Sequence, residues 1–248
     1  MVNVDIHVPK QPTSISEAYK SLRTNLKFCG DDKKAIVITS CVENEGKSTI
    51  ALQLAASLAE AGNSVCLVDA DLRKSILMSA VQAERNPEGE YEETIPRNKN
   101  IAENEVPGFT HYLSGMATLN EVMSVTNVKN LCILFAGPTP PNPSEMLGSK
   151  KFAAAITNLR KAFDYLIIDT PPIGMVIDGA IVAENADGII LVMESGNDSY
   201  HLAQDIKEQL MKTGCPILGG VLNKVDTNKS NNGSYYGSYY GRYGGKKK

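Results

Sequence analysis

Three short apolar runs set the plan of this chain. Ala35-Ile-Val-Ile-Thr39, Val65-Cys-Leu-Val68 and Tyr165-Leu-Ile-Ile168 are almost unbroken in hydrophobicity and rich in β-branched residues, the pattern of strands covered on both faces. After the first run, Ile50 to Ala61 is Ala- and Leu-rich and predicts a helix. The same alternation continues downstream with a strand at Leu131–Phe135 and a helix from Ser144 to about Phe163, broken near Gly148. A short helix near Asp178–Asn185, a strand Gly188–Met193, a helix Ser199–Thr213 and a strand Ile217–Asn223 follow. The expected fold is α/β, a doubly wound, mostly parallel sheet.

Other segments break this rhythm. Residues 1–13 carry two prolines and read as an extended N-terminal arm. Ser14 with Glu17 forms a capping-box pattern ahead of an amphipathic helix 14–28, whose stripe is Ala18, Tyr19, Leu22 and Leu26. On that helix Glu17, Lys20 and Arg23 fan across one side. Residues 84–105 are acidic, with seven Glu and no sustained periodicity, and read as an exposed insertion. Gly108–Met123 reads as one helix, and Gly137-Pro-Thr-Pro-Pro-Asn-Pro143 as a stiff connector, because proline lacks a donor and holds its predecessor extended. The main domain therefore spans 14–226. Residues 227–248 form a low-complexity tail that repeats Ser-Tyr-Tyr-Gly and has no core-forming pattern.

Length and composition narrow the classes. A chain of 248 residues that is 42% hydrophobic supports one good-sized core. No window has the apolar length of a transmembrane helix and no signal pattern opens the chain, so a cytoplasmic location is expected, with any membrane association made through a partner. Five cysteines at scattered positions show no metal spacing and read as free thiols. A net charge of −3 argues against a general nucleic-acid binder. The tail departs from that average: from Thr227 onward Lys229, Arg242, Lys246, Lys247 and Lys248 sum to +5, with no Asp or Glu.

Candidate chemistry sits where the first strand meets its helix. Glu45-Gly-Lys-Ser-Thr49 has the form of a phosphate-binding loop, in which backbone N–H groups and the helix N-terminus face the phosphates. Lys47 would reach the β and γ oxygens, Ser48 would hold Mg²⁺, and Thr49 would add a phosphate contact. The pattern G-x-x-x-x-G-K-S/T is incomplete, since Cys41 stands at the first glycine; Asn44 occupies a second position suited to glycine, and asparagine tolerates positive φ. Two further strands end in carboxylates, Asp69 and Asp71 after one and Asp169 after the other. Ligands of open α/β sheets bind at that edge, so all three would face the same phosphates and serve Mg²⁺.

The ordered combination of motifs resembles the cytoplasmic kinases of the bacterial tyrosine kinase family, the capsular exopolysaccharide type. The residues concerned are Glu17-Ala-Tyr-Lys-Ser-Leu-Arg23, similar to an E-x-x-R-x-x-R assembly motif with Lys20 for the first Arg; Glu43 to Thr49; Leu67-Val-Asp-Ala-Asp-Leu-Arg-Lys74; Ala136 to Glu145; Ile168-Asp-Thr-Pro-Pro172; and the tyrosine cluster. The resemblance implies a P-loop NTPase of the deviant Walker type that uses ATP and Mg²⁺ and phosphorylates its own tail at Tyr235, Tyr236, Tyr239, Tyr240 and Tyr243. It implies that Glu45 and Gly46 join Lys47, Ser48 and Thr49 around the nucleotide, and that Asp71, Asp169 and Ser48 serve the metal. Either Asp69 or Asp71 would accept the tyrosine proton. Arg73 would contact phosphate or a neighbouring subunit, and Asn223 the adenine. Glu17, Lys20 and Arg23 would support self-association into a ring. The implied partners are a membrane-embedded activator of polysaccharide export and a protein-tyrosine phosphatase.

Three rival functions remain open on the sequence. An ATP switch without a tyrosine substrate shares the fold, but the tail and Val42 at the place of its extra loop lysine disfavour it. A GTPase is suggested by Asn223-Lys-Val-Asp226, which fits N-K-x-D, whereas Asp169-Thr-Pro-Pro172 lacks the glycine of D-x-x-G. A nucleotide-dependent scaffold would tolerate the lost loop glycines.

Overall fold

The computed structural model describes residues 1–89, 101, 105–196 and 200–225. Its first half runs β1 (Val2–Asp5), α1 (Thr13–Phe28), β2 (Ala35–Ser40), α2 (Lys47–Glu60), β3 (Val65–Asp69), α3 (Leu77–Ala80) and β4 (Glu84–Arg85). Then come α4 (Phe109–Leu113), α5 (Leu119–Val122), β5 (Ser124–Thr126), β6 (Leu131–Leu134), α6 (Pro143–Leu147) and α7 (Lys150–Ala162). The last part is β7 (Tyr165–Asp169), α8 (Asp178–Ala183), β8 (Gly188–Glu194), α9 (Tyr200–Met211) and β9 (Ile217–Asn223).

All the described strands join one sheet in the order β4-β1-β5-β6-β3-β7-β2-β8-β9. From β6 to β9 every pairing is parallel, while β5 meets β6 and β4 meets β1 antiparallel. The chain crosses from β2 to β3 on one side and from β7 to β8 on the other. The C-terminal ends of β2, β3 and β7 therefore border the point where the winding reverses, where open sheets of this kind form their ligand crevice.

Alternation along the central strands divides the core in two. Ile36 and Ile38 of β2 join Leu54 and Leu58 of α2, whereas Ala35 and Val37 join Phe152 and Ile156 of α7, all of them buried. Burying such a side chain is worth about 1.5–3 kcal/mol. Ile50, Leu54 and Leu58, on one face, thus fix α2 on the sheet. Its first turn, which carries Lys47 and Ser48, is anchored by that packing.

Several expectations change at the edges. The N-terminal arm is part of the sheet: Val2–Asp5 pairs in parallel with β5 and antiparallel with β4, and Val2, Val4 and Ile6 are buried. Their period of two is a strand signal, satisfied only by partners more than eighty residues away. The Ser14/Glu17 capping box does not form, because α1 begins at Thr13 behind Pro12 without a side-chain cap and Glu17 accepts from Lys20 at 2.7 Å instead. The single helix expected over Gly108–Met123 is two short ones, divided at Gly115 (φ 85°), with Thr118 and Glu121 capping the second. The break at Gly148 separates α6 from α7 as the sequence predicts. Most of the acidic insertion, residues 90–100 and 102–104, lies outside the described residues, as do Asp226 and the tail.

Candidate active site

β2 delivers the chain to a tight loop, residues 41–46, that ends on the N-terminus of α2. Asn44 (φ 65°) and Gly46 (φ 89°) both take left-handed backbone, so Asn44 does adopt the conformation expected of it. Gly46 has a second constraint: a Cβ there would lie 2.2 Å from Asn223 Nδ2. Glu45, expected beside the nucleotide, turns its carboxylate inward. Its Oε2 accepts from Val42 N at 2.8 Å and its Oε1 from Glu194 N at 3.0 Å. Its side chain thereby closes the loop and ties it to the end of β8, leaving its backbone as the part able to serve a phosphate.

Lys47, Ser48, Asp71 and Asp169 converge. Lys47 Nζ lies 3.2 Å from Ser48 Oγ, 3.5 Å from Asp71 Oδ2 and 3.9 Å from Asp169 Oδ1. Thr49, one residue on, is exposed on the first turn of α2. Asp69 and Asp169 are register neighbours on β3 and β7, which brings two carboxylates side by side in the interior. Asp69 Oδ1 accepts from Asp71 N at 3.2 Å, and its Oδ2 accepts from the Ser75 hydroxyl. Asp71 Oδ1 accepts from Lys74 N at 3.0 Å and Arg73 N at 3.3 Å, which fixes the turn after β3 and leaves Oδ2 toward Lys47.

Burial dominates the electrostatics. Burial first, then the neighbouring Asp169, pushes the Asp69 carboxyl up to about 7, against relief from Ser75. Burial raises Asp169 to about 6, with Lys47 opposing the shift. Asp169 Oδ1 is buried and has no hydrogen-bond partner, although Lys47 lies at ion-pair distance. An orphaned carboxylate oxygen beside a lysine, a serine hydroxyl and a second carboxylate fits a hydrated divalent cation held with phosphates. Among the described residues no three His, Cys, Asp or Glu side chains form a metal cage of their own.

Other predicted site residues lie elsewhere. Arg73 does not face the loop: Nε donates to Asp178 Oδ2 at 2.7 Å, and Nη2 to Asp178 Oδ1 at 3.1 Å and Ser144 Oγ at 2.7 Å. The wholly buried Asp178 carboxylate needs that bidentate partner, and this need directs the guanidinium. Asn223 donates to the Glu45 carbonyl at 2.8 Å, so here its amide braces the loop. Arg23 is occupied within the molecule, Nη1 donating to Ser57 O of α2 at 2.5 Å, while Glu17 and Lys20 pair with each other on the outer face of α1. The five tail tyrosines lie outside the described residues. Sequence reasoning missed Ser75, Asp178 and Ser144. Asp178 acts through residues that only the fold brings near, whereas Ser75 lies six residues after Asp69 and Ser144 lies inside the Ala136–Glu145 motif, with no feature that singled out either side chain.

The chain matches the family described as CobQ/CobB/MinD/ParA nucleotide binding domain over residues 36–236. It is 38% identical over 217 residues to the tyrosine-protein kinase CpsD of Streptococcus agalactiae, covering 88% of this chain and 85% of that one. Among solved structures it is similar to the chimerical protein CapA2B2, with a TM-score of 0.74 and 31% identity over 91% of this chain and 94% of that one. It is also similar to the kinase domain of the Escherichia coli tyrosine kinase ETK, with a TM-score of 0.75 and 26% identity over 90% of this chain and 84% of that one.

Proposed function

The chain belongs to the family of bacterial tyrosine-protein kinases built on the CobQ/CobB/MinD/ParA nucleotide-binding domain, and from that premise we propose that it transfers the γ-phosphoryl group of ATP to tyrosines of its own C-terminal tail. The observation that carries this reading is the convergence of Lys47, Ser48, Asp71 and Asp169 at the end of the loop. Phosphoryl transfer asks of a protein chiefly positioning and charge.

Lys47 holds the β and γ oxygens, the loop N–H groups and the first turn of α2 cradle the phosphates, and Thr49 adds a contact. Ser48, Asp71 and Asp169 would hold Mg²⁺, Asp169 through water. When bound, Mg²⁺ supplies positive charge against the oxygens of the transferring group. The tyrosine hydroxyl, with an ordinary pKa of roughly 10, gives up its proton as its oxygen attacks phosphorus. The bond to the leaving β-phosphate oxygen breaks, and ADP departs with that electron pair. Asp69 or Asp71 takes the proton; the Asp69 carboxyl, raised to about 7, matches a base working near neutrality. Arg73 fixes the turn that bears both carboxylates through Asp178 and Ser144.

The acceptors are Tyr235, Tyr236, Tyr239, Tyr240 and Tyr243 of a neighbouring copy, assembled in a ring through the Glu17/Lys20/Arg23 face. The tail's charge of +5 draws it to a site of carboxylates and phosphates. The cellular setting we infer is regulation of capsular or exopolysaccharide synthesis and export, with a membrane-embedded activator and an opposing protein-tyrosine phosphatase. No helix among the described residues is long and apolar enough to cross a membrane, which fits cytoplasmic residence with membrane contact through that partner.

The test is incubation of the purified chain with ATP or GTP and Mg²⁺, followed by phosphotyrosine detection and mass spectrometry. Wild-type protein should incorporate phosphate from ATP on the tail. Lys47→Met should abolish this with the fold intact, and deletion of 228–248 should remove most incorporation while sparing ATP binding. Phosphate found mainly on Tyr19, Tyr91, Tyr112, Tyr165 or Tyr200, or near-normal incorporation by Lys47→Met, would overturn the reading.

A further inference from the structure

The loop is held from outside by the ends of β8 and β9. Lys224 Nζ donates to the Asn44 carbonyl at 2.7 Å and pairs with Glu194 Oε2 at 3.0 Å. Asn223 Nδ2 donates to the next carbonyl, that of Glu45, at 2.8 Å. Glu194 N returns a bond to Glu45 Oε1 at 3.0 Å, and Ser195 N donates to Asn223 O at 2.9 Å, so the two strand ends act as one body. Lys224 itself takes left-handed backbone (φ 55°), as does the asparagine it grips (φ 65°).

A trans peptide is planar, with its carbonyl and N–H pointing in opposite directions. Drawing the carbonyls of Asn44 and Glu45 toward β9 therefore turns the N–H groups of Glu45 and Gly46 to the other side. Successive N–H groups facing one side are what an anion-binding concavity requires. Glycine reaches left-handed backbone freely, and asparagine does so less readily. In this chain the turn at Asn44 is supported by a cation on a different strand.

We propose that Lys224 is a positioning residue of the nucleotide site: its ammonium, oriented by Glu194, holds the Asn44 peptide in the turn that glycine would take unaided, and so sets the loop's affinity for nucleotide phosphates. The inference rests on the nucleotide-binding part of the proposed function and is independent of tyrosine transfer. It also gives the lysine of Asn223-Lys-Val-Asp226 a role other than reading guanine.

The experiment measures equilibrium binding of Mg·ADP to the full chain by calorimetry, with melting temperature as the control for folding. Lys224→Met should weaken binding about tenfold, and Lys224→Arg, which keeps a long cationic donor, should stay within about threefold of wild type. The double variant Asn44→Gly/Lys224→Met should return to within about threefold of wild type, because glycine no longer needs the support. In phosphorylation assays Lys224→Met should raise KM for ATP while kcat stays within about twofold. If Lys224→Met fails to fold, Lys224→Gln carries the same comparison. Wild-type affinity in Lys224→Met, or a double variant as weak as the single one, would overturn the proposal. Because the readout is binding, a chain that holds Mg·ADP but transfers nothing to tyrosine would sink the kinase reading and leave this test intact.

Discussion

Replacing Asp69 by Asn should make the nucleotide-free protein more stable and the enzyme inactive. Asp69 is completely buried beside Asp169, and its carboxyl is raised from the ordinary 3.8 to about 7. That is about three pKa units at about 1.4 kcal/mol each, so ionising this group inside the fold costs at most about 4 kcal/mol. Relaxation and partial wetting reduce the figure, and we expect about 2 kcal/mol to be recovered. The sign follows from the direction of the shift. A carboxyl whose folded pKa is raised contributes stability that is fully present below the ordinary carboxylate pKa and is lost as pH rises through the folded value. Asp169, raised to about 6, adds a loss of the same sign. Thermal melting of wild type in chelator, without nucleotide, should therefore fall as pH rises through this window. At about pH 8 the Asp69→Asn variant should melt higher by on the order of 5 °C, with the gap closing toward about pH 4. Its phosphotyrosine yield should fall at least tenfold. A variant less stable than wild type at every pH, or one with an unaltered pH slope, would refute the burial-and-repulsion account.

Arg73→Ala should destabilise the fold by about 3 kcal/mol, because it leaves the buried Asp178 carboxylate without a counter-charge, with only the Ser144 hydroxyl as a side-chain partner; urea unfolding measures this, and Asp178→Asn on the same background should recover part of the loss. Gly46→Ala meets both left-handed backbone and the Asn223 amide, so calorimetry should show Mg·ADP binding weakened by at least about tenfold. Arg23→Ala loses its bond to Ser57 and should lower stability by about 1 kcal/mol in the monomer, as well as any effect on assembly, so its unfolding must be measured beside its light scattering. Extensive tail phosphorylation adds roughly −1.5 to −2 per phosphate, so three phosphates bring the +5 tail near or below zero. Light scattering before and after ATP, at low and high salt, should then show the assembly dissociating.

The sequence by itself determined the parts whose cause is local. Unbroken apolar runs make β2, β3 and β7 strands covered on both sides, whatever their partners, and Pro143 and Gly148 decide where α6 begins and ends. Gly46, Lys47 and Ser48 announce a phosphate loop because their chemistry depends on adjacent backbone. The tertiary structure decided everything that depends on distant partners. Val2, Val4 and Ile6 carry a strand's alternation, yet only β5 and β4 turn that segment from an arm into part of the sheet. Arg73 reads as a contact to phosphate or a neighbouring subunit, and Asp178, buried more than a hundred residues along the chain, claims its guanidinium within the molecule. Glu45 reads as a nucleotide contact, but Glu194 N and Val42 N draw its carboxylate inside and leave only its backbone for that role. Lys224, legible in sequence only as part of a guanine motif, becomes the support of Asn44 because β9 ends beside the loop. For Asp178 and Glu45 a buried carboxylate must find a partner, and the chain's path through the sheet determines which partner is within reach.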